Sequence, residues 1–510
     1  MATLSNKLAR SLAARRALED QGLIAIPSAR LSRTHRQRLL LTGFIREVMK
    51  GWYRFCSPDE PDDPTGWAAL YWTFIADYLR QRFGTAWCLG PEESLRLWAG
   101  DWTVPSRLLV RSPRGGNKPT NLPHGTVLLD LRLKAPEAGD LEIREGLRLM
   151  ALPAALIGAA PGYFAAHPDS ARAALALLGA DGHLGRRLRE GGHSVIAGRL
   201  AGALRNVGSI ETADRLVGTM RAAGYSVNER DPFDDPTPAG SLIALDAPEA
   251  NRLRLAWRRQ RAAVIASFPR PPPRVAAPSA FLDAIDAGYC VDAFHALSLE
   301  GYQVTTDLIE RARATDWSDR LVPVEVPLGA SSPAPPARRD ALAARGYWLC
   351  FQAARQSLEL ILAGENPGAI ITEHLASWYR ALYAPQLAQG LQAGAPRDGF
   401  RHGPGARRFA RHVPPHAAAV PPMMRALFDL LRAETDPAVR VVSGHLAFLQ
   451  IQPFIEGNGP IARLLMNLLR VAGGYPWLVI PLSRRVDYRL ALERAHLDGD
   501  IAALARFLAG

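Results

Sequence analysis

The stretch HLAFLQIQPFIEGNGPIARLLMN, His445–Asn467, decides how the chain is read. It is an apolar helical run, a short loop carrying one carboxylate and Gly-Asn-Gly, and then a second apolar run. In the second run Ile461, Leu464, Leu465, Leu468 and Leu469 recur at i, i+3, i+4, i+7 and i+8, which predicts a helix with that face in the core. Gly457, Asn458 and Gly459 then lie at its N-terminus, where unpaired N–H groups and the helix dipole favour an anion. Glycine permits the backbone angles of such a nest and lets phosphate oxygens approach closely. Glu456, at its mouth, is placed to hold Mg²⁺ bridging phosphates, since magnesium takes one or two carboxylates plus substrate oxygens. A Gly-Asn-Gly turn beside one glutamate is a weak signal on its own, and the complete string says more.

QPFIEGNGPIARLLMN resembles the signature of the Fic (Fido) family, HxFx(D/E)GNGRxxR, whose members transfer AMP from ATP to a protein hydroxyl. Phe454, Glu456, Gly457, Asn458, Gly459 and Arg463 match it, whereas Gln452 stands at the histidine and Pro460 at the first arginine. The following segment, GGYPWLVIPLSRRVDYRLALERA, is also similar to the family, and the likeness covers most of 276–510. The resemblance implies a mainly α protein whose C-terminal part is a Fic-type helical bundle with a small β-hairpin flap. It implies that Phe454 anchors the loop and Glu456 binds Mg²⁺. It makes Gly457, Asn458 and Gly459 the anion hole for the nucleotide, ATP, and gives Arg463 the terminal phosphate.

Both departures fall on the chemistry. In the family the histidine takes the proton from the attacking hydroxyl, a general-base step worth roughly 10²–10⁴-fold in rate. The Gln452 amide has no usable basicity near neutral pH, although it can accept a hydrogen bond and orient a hydroxyl. His445 lies on the same helix about two turns earlier, roughly 10 Å along the axis, and reads as a core histidine. His295 and His412 substitute only if folding brings them in. Pro460, expected at the first helical position, costs no hydrogen bond there. It cannot supply the charge that the missing arginine would place on phosphates.

Many family members also carry an inhibitory helix, (S/T)xxxE(G/N), whose glutamate pairs with the last signature arginine. HALSLEGYQVTTDLIERA, 295–312, is similar to its surroundings, with Glu300-Gly301 in place and Ala296 where Ser or Thr is usual. A glutamate near a helix C-terminus opposes the dipole and calls for a cationic partner, here expected to be Arg463. A hairpin flap that grips the target's backbone precedes the family signature. In GFRHGPGARRFARHVPP, 399–415, its apolar strand is replaced by GPGARR, which weakens a strand edge. Arg407, Arg408 and His412 are its target-docking candidates. With Arg401 and Arg411 they suit an anionic ligand better than a hydrophobic peptide; a basic loop without such a role is the alternative.

The remainder is read from composition and punctuation. A chain of 510 residues exceeds one ordinary core. Its net charge of +12, carried almost wholly by arginine, fits an anionic partner or simply an arginine-rich genome. Cys56, Cys88, Cys290 and Cys350 form no CxxC pair, which argues against a zinc module or disulfide framework and for a reducing cytoplasm. The longest apolar run, LMALPAALIGAA, contains Pro153 and is well short of the roughly 20 residues that span a bilayer, so no membrane association is expected. FPRPPPRVAAPS, 268–279, is the clearest breaker. The expected division is a winged-helix-like domain at 1–60, an α+β and helical region at 61–230, a connecting segment at 231–279, and the Fic-like domain at 280–510.

The first 135 or so residues carry a second resemblance. GFIREVMKGWYRF, followed by CLGPEESLRLWAGDWTVPSRLLVRSP, looks like the N-terminal region of AbiEi-type antitoxins, in which a winged helix that binds DNA precedes a small α/β module. The basic run SARLSRTHRQR, 28–38, would then present Arg33, Arg36 and Arg38 to phosphates, unless it is a solvated helix face. Two functions follow. One is a diverged transferase that binds a nucleotide or other diphosphate-containing substrate and moves a phosphate-containing group to the hydroxyl of a protein or small molecule. The other is a catalytically silent nucleotide-binding or DNA-binding regulator of toxin–antitoxin type.

Overall fold

The computed structural model describes residues 4–58, 64–179, 183–238, 240–243, 246–271, 278–314, 336–389, 399–403 and 412–510. The chain divides into two compact units, Met1–Arg252 with Arg407–Val413, and Leu253–Ala406 with Pro414–Gly510. The division thus falls ahead of the proline stretch. The physical reason lies in the helix Pro248–Ser267: Trp257 Nε1 donates to Glu434 Oε2 at 3.1 Å and Arg261 pairs with the same carboxylate at 3.2 Å, so its later turns pack within the C-terminal unit.

The first unit opens with the helices Leu4–Glu19 and Arg33–Leu41, followed by the hairpin Ile45–Met49 and Trp52–Phe55, which with Ile26–Pro27 makes a three-stranded sheet. Gly51, at φ 80°, supplies the turn that lets the hairpin close. The helix Pro64–Phe83 follows, then a second sheet in the order Cys88–Leu89, Arg107–Ser112, Val127–Arg132, Pro119–Asn121, with its central pair parallel. Trp67, Tyr71, Phe74, Leu108, Val110 and Leu128 form the core between that helix and the sheet. Arg36 and Arg38 are engaged inside the fold: Arg36 donates to Ser28 O at 3.1 Å, and Arg38 to Lys7 O and Ser11 Oγ at 2.8 Å each. Of the three arginines expected to face DNA, Arg33 alone is exposed, at the first position of its helix.

The second unit is helical throughout its described residues. Its helices include Pro278–Leu299, Pro336–Leu362, Pro367–Ala388, Val420–Ala433, Pro437–Ile451 and Asn458–Ala472. Asn458–Ala472 is the central one, and all its residues but Gly459 and Ala472 are buried. An element so enclosed satisfies its polar side chains internally. Asn467 exchanges hydrogen bonds with Leu478, 3.0 Å to its oxygen and 2.8 Å from its nitrogen, and Arg470 donates to Pro476 O at 3.0 Å. The proposed hairpin strand at 404–411 lies outside the described residues, and its flanks at 399–403 and 412–416 form no strand. Among the described residues no helix is long and apolar enough to cross a membrane.

Candidate functional site

The site begins where the helix Pro437–Ile451 stops. Gln452 caps it in the left-handed conformation, φ 45° and ψ 66°, which costs a residue with a side chain about 1–2 kcal/mol. Arg401 holds that turn. Its buried guanidinium donates to Gln452 O at 2.7 Å, Ile451 O at 3.3 Å, Pro415 O at 2.6 Å and Gly403 O at 2.8 Å, while its own amide donates to Pro453 O at 2.8 Å. A cation against the last carbonyls of a helix also suits the dipole. The expectation that Arg401 serves an anionic ligand is therefore replaced: its donors face carbonyls of the loop.

Phe454 anchors the loop by stacking on Tyr379, with ring centroids 3.9 Å apart and planes within 4°. The Asn458 side chain locks the same turn, accepting from Phe454 N at 3.0 Å and donating to Phe454 O at 2.8 Å. Its backbone N–H, not its amide, is thus what it offers an anion. Gly457 has φ 77°, and a Cβ there would lie 2.9 Å from the Tyr383 ring and its hydroxyl. The helix starts at Asn458, so Pro460 is its third residue, not its first. It still falls in the first turn, whose N–H groups have no intrahelical partner, and its ring removes no bond.

The feature that closes the nest is Glu300. It follows the helix Pro278–Leu299, and its Oε1 lies 3.0 Å from Arg463 Nη2, both side chains being 8% exposed. The same Arg463 nitrogen donates to Ala296 O at 3.0 Å, while Arg463 Nε is buried without a hydrogen-bond partner. A Cβ on Gly459 would stand 2.1 Å from Glu300 Oε1. The carboxylate therefore presses against the backbone of the nest, where an anion is favoured. Gly301, at φ 88°, turns the chain away immediately afterwards.

The candidate bases are placed as follows. Gln452 is buried and its Oε1 lacks a hydrogen-bond partner. His445 is fully buried, with Nδ1 3.0 Å from Ala462 O and Nε2 2.6 Å from Tyr488 Oη, and burial pushes its imidazole down to about 4. His295 Nδ1 accepts from Leu482 N at 3.2 Å. His412 is buried and is grouped with the first unit; Arg407 and Arg408 lie outside the described residues. Glu456 is exposed at the mouth of the loop, beside Tyr302, Tyr379 and Tyr383. Burial first and Glu456 second push the Tyr379 phenol up to about 12. Among the described residues no group of three His, Cys, Asp or Glu side chains could hold a metal. A single carboxylate fits Mg²⁺ only when phosphate oxygens complete the shell, so Glu456 would hold the ion together with a nucleotide.

Sequence reasoning missed the parts played by Arg401 and the tyrosine wall. Arg401 is 51 residues from Gln452 in the chain, and no local pattern marks it.

Fold and site together define the second unit as a helical bundle with a Gly-Asn-Gly turn at the N-terminus of its central helix. Residues 371–469 match the Fic/DOC family, so this part of the chain is a Fic domain. Over 102 residues it is 37% identical to the protein adenylyltransferase Fic of Drosophila willistoni and 36% identical to that of Drosophila grimshawi. These matches cover 19% of this chain and 20% and 21% of those proteins, so the chain spans about a fifth of the length of the curated relatives it matches. Among solved structures, Fic-1 from C. elegans is 18% identical with a TM-score of 0.33, covering 64% of this chain and 92% of that one. A Fic domain containing signaling protein from Bacteroides thetaiotaomicron is 16% identical with a TM-score of 0.34, covering 50% and 91%.

Proposed function

We propose that the C-terminal unit is a diverged Fic-fold transferase that binds a nucleotide, or another diphosphate-containing substrate, with Mg²⁺ at Glu456. It would pass a phosphate-containing group to a hydroxyl. The observation that carries this reading is the carboxylate of Glu300, seated against Gly459 and bonded to Arg463 at 3.0 Å. An anion already occupies the nest, as expected of a site built for phosphate and held shut by an acidic side chain. Phosphate oxygens that displaced Glu300 would inherit both Arg463 and the N–H groups of Gly457–Gly459. Mg²⁺ supplies charge neutralisation across the phosphates when bound, and Phe454 and Asn458 keep the loop rigid for it.

Gln452 favours a second reading, a silent nucleotide-binding regulator. Two of the candidate histidines among the described residues are no replacement for it: burial holds His445 neutral, and His295 is engaged with Leu482. DNA binding through a winged helix at 4–55 belongs to the same reading. It is supported by the order of helices and hairpin there and by the exposed Arg33.

Calorimetric titration of ATP–Mg²⁺ into the wild type and Glu300→Gly tests the site. Binding that strengthens in Glu300→Gly is expected, and heat in neither protein would sink the nucleotide reading. Labelled AMP transfer separates the two functions. Transfer by the wild type supports the diverged transferase, whereas transfer only after Gln452→His with Pro460→Arg supports a silent binder. A salt-dependent shift with upstream operon DNA, lost in Arg33→Ala, tests the winged helix.

A further inference from the structure

Pro460 leaves the nest one cation short, and Arg463 is already engaged by Glu300. A nucleoside polyphosphate brings several negative charges, which a partly enclosed site must meet with donors and cations. Arg339 stands over Tyr302, which is itself within electrostatic reach of Glu456. Arg339 lies in the first turn of the helix Pro336–Leu362, with its guanidinium 4.8 Å from the ring centroid of Tyr302. Tyr302 is two residues beyond Glu300, the residue that occupies the nest. The neighbouring Asp340 is buried and accepts a hydrogen bond from the backbone of Gln303, so the start of this helix is tied to the segment just after the lock.

The surroundings converge on the same place. Tyr302 lies near enough to Glu456 and Tyr383 for their charges to act on one another, and Tyr383 touches Gly457 where a Cβ would be 2.9 Å away. Arg339 is exposed and forms no ion pair among the described residues. The Tyr302 ring seats the guanidinium and its hydroxyl takes one donor, which leaves the remaining N–H groups for oxygens.

We propose that Arg339 is a phosphate-binding residue of this site, supplying from the helix Pro336–Leu362 the charge that Pro460 cannot. The proposal rests on the nucleotide reading above. Its ligand class is a nucleoside diphosphate or triphosphate, whose outer phosphate reaches the mouth of the loop. Because Tyr302 follows Glu300 and Gly301 directly, one segment carries the carboxylate that closes the nest and the ring that seats the cation. Displacement of Glu300 by phosphate then occurs beside Arg339.

The test uses the full chain carrying Glu300→Gly, so that the nest is open, with ADP–Mg²⁺ and AMP as calorimetric probes. Arg339→Ala is expected to weaken ADP–Mg²⁺ by about tenfold, one charge-assisted contact, and AMP by much less. Arg339→Lys should recover part of the loss. Adding Pro460→Arg to Arg339→Ala should restore affinity, and should gain more there than when Arg339 is present, because the two arginines serve one charge. Arg380→Ala, exposed on another helix, is the control and should change nothing. Unchanged ADP–Mg²⁺ affinity in Arg339→Ala, equal loss for AMP and ADP, or strictly additive effects of Arg339 and Pro460 would each overturn the assignment. Absence of binding in the Glu300→Gly parent would instead overturn the nucleotide reading, and this proposal with it.

Discussion

Glu300 and Arg463, 163 residues apart in the chain, meet at 3.0 Å beside the Gly457–Gly459 turn. Each is the other's charge partner, and both are almost wholly enclosed. The pair gives the buried Arg463 a counter-charge beside the start of the helix Asn458–Ala472.

Glu300→Gly therefore has opposite effects on stability and on binding. Removing one member of a buried pair typically costs about 3–5 kcal/mol, since the other charge is left uncompensated. The urea midpoint of the variant should fall accordingly, and saturating ADP–Mg²⁺ should recover more of it than in the wild type. Equal ligand effects on both proteins would mean that Glu300 does not compete for the nest.

Gly459→Ala probes the same contact from the backbone side. Its methyl would stand 2.1 Å from Glu300 Oε1, so the carboxylate must leave. Overpacking of this kind costs about 1–3 kcal/mol. Most of that cost should vanish in Glu300→Gly, giving a coupling of about 1 kcal/mol or more in a double-mutant cycle read by chemical denaturation.

His445 makes stability depend on pH. Its folded-state value, about 4, lies below the unfolded value of 6.5 because burial disfavours the charged ring. The unfolded chain therefore takes up the proton first. The contribution is full above pH 6.5 and is lost as pH falls from there towards 4. Between pH 7 and pH 5 the wild type should lose about 2 kcal/mol relative to His445→Gln. Parallel pH profiles for the two proteins would refute the assignment.

Gln452→Gly should stabilise the protein although it alters the site. Glycine adopts the left-handed turn at φ 45° without strain, and the substitution removes a buried oxygen that has no donor. A gain of about 1 kcal/mol is expected by thermal or chemical denaturation. A loss would show that packing of the glutamine side chain outweighs the strain.

The helix Asn458–Ala472 is legible because Ile461, Leu464, Leu465, Leu468 and Leu469 recur at helical spacing after the Gly-Asn-Gly breaker. Gly301 and Gly364, each just beyond a helix end, both have positive φ. The helix Pro367–Ala388, which carries Tyr379 and Tyr383, was not singled out. Its tyrosines acquire meaning only when Phe454 stacks on one and Gly457 touches the other. Composition and motif could not place the basic run at 28–38 either. Arg36 and Arg38 are as cationic in sequence as Arg33, and only the folded chain shows their donors turned onto Ser28, Lys7 and Ser11.

The sequence by itself determined the Gly-Asn-Gly turn ahead of an apolar helix, its likeness to the Fic signature, and the departures from that signature at Gln452 and Pro460. These are properties of neighbouring residues, set by local spacing and by which side chains carry a proton or a charge. The Glu300–Arg463 pair was expected from the sequence and is met at 3.0 Å; the tertiary structure alone decided that the Glu300 carboxylate lies against Gly459, that Arg401 grips the turn at Gln452, and that Arg339 stands over Tyr302. Those relationships join residues tens to hundreds of positions apart, and burial and hydrogen-bond geometry fix them only once the helices have packed.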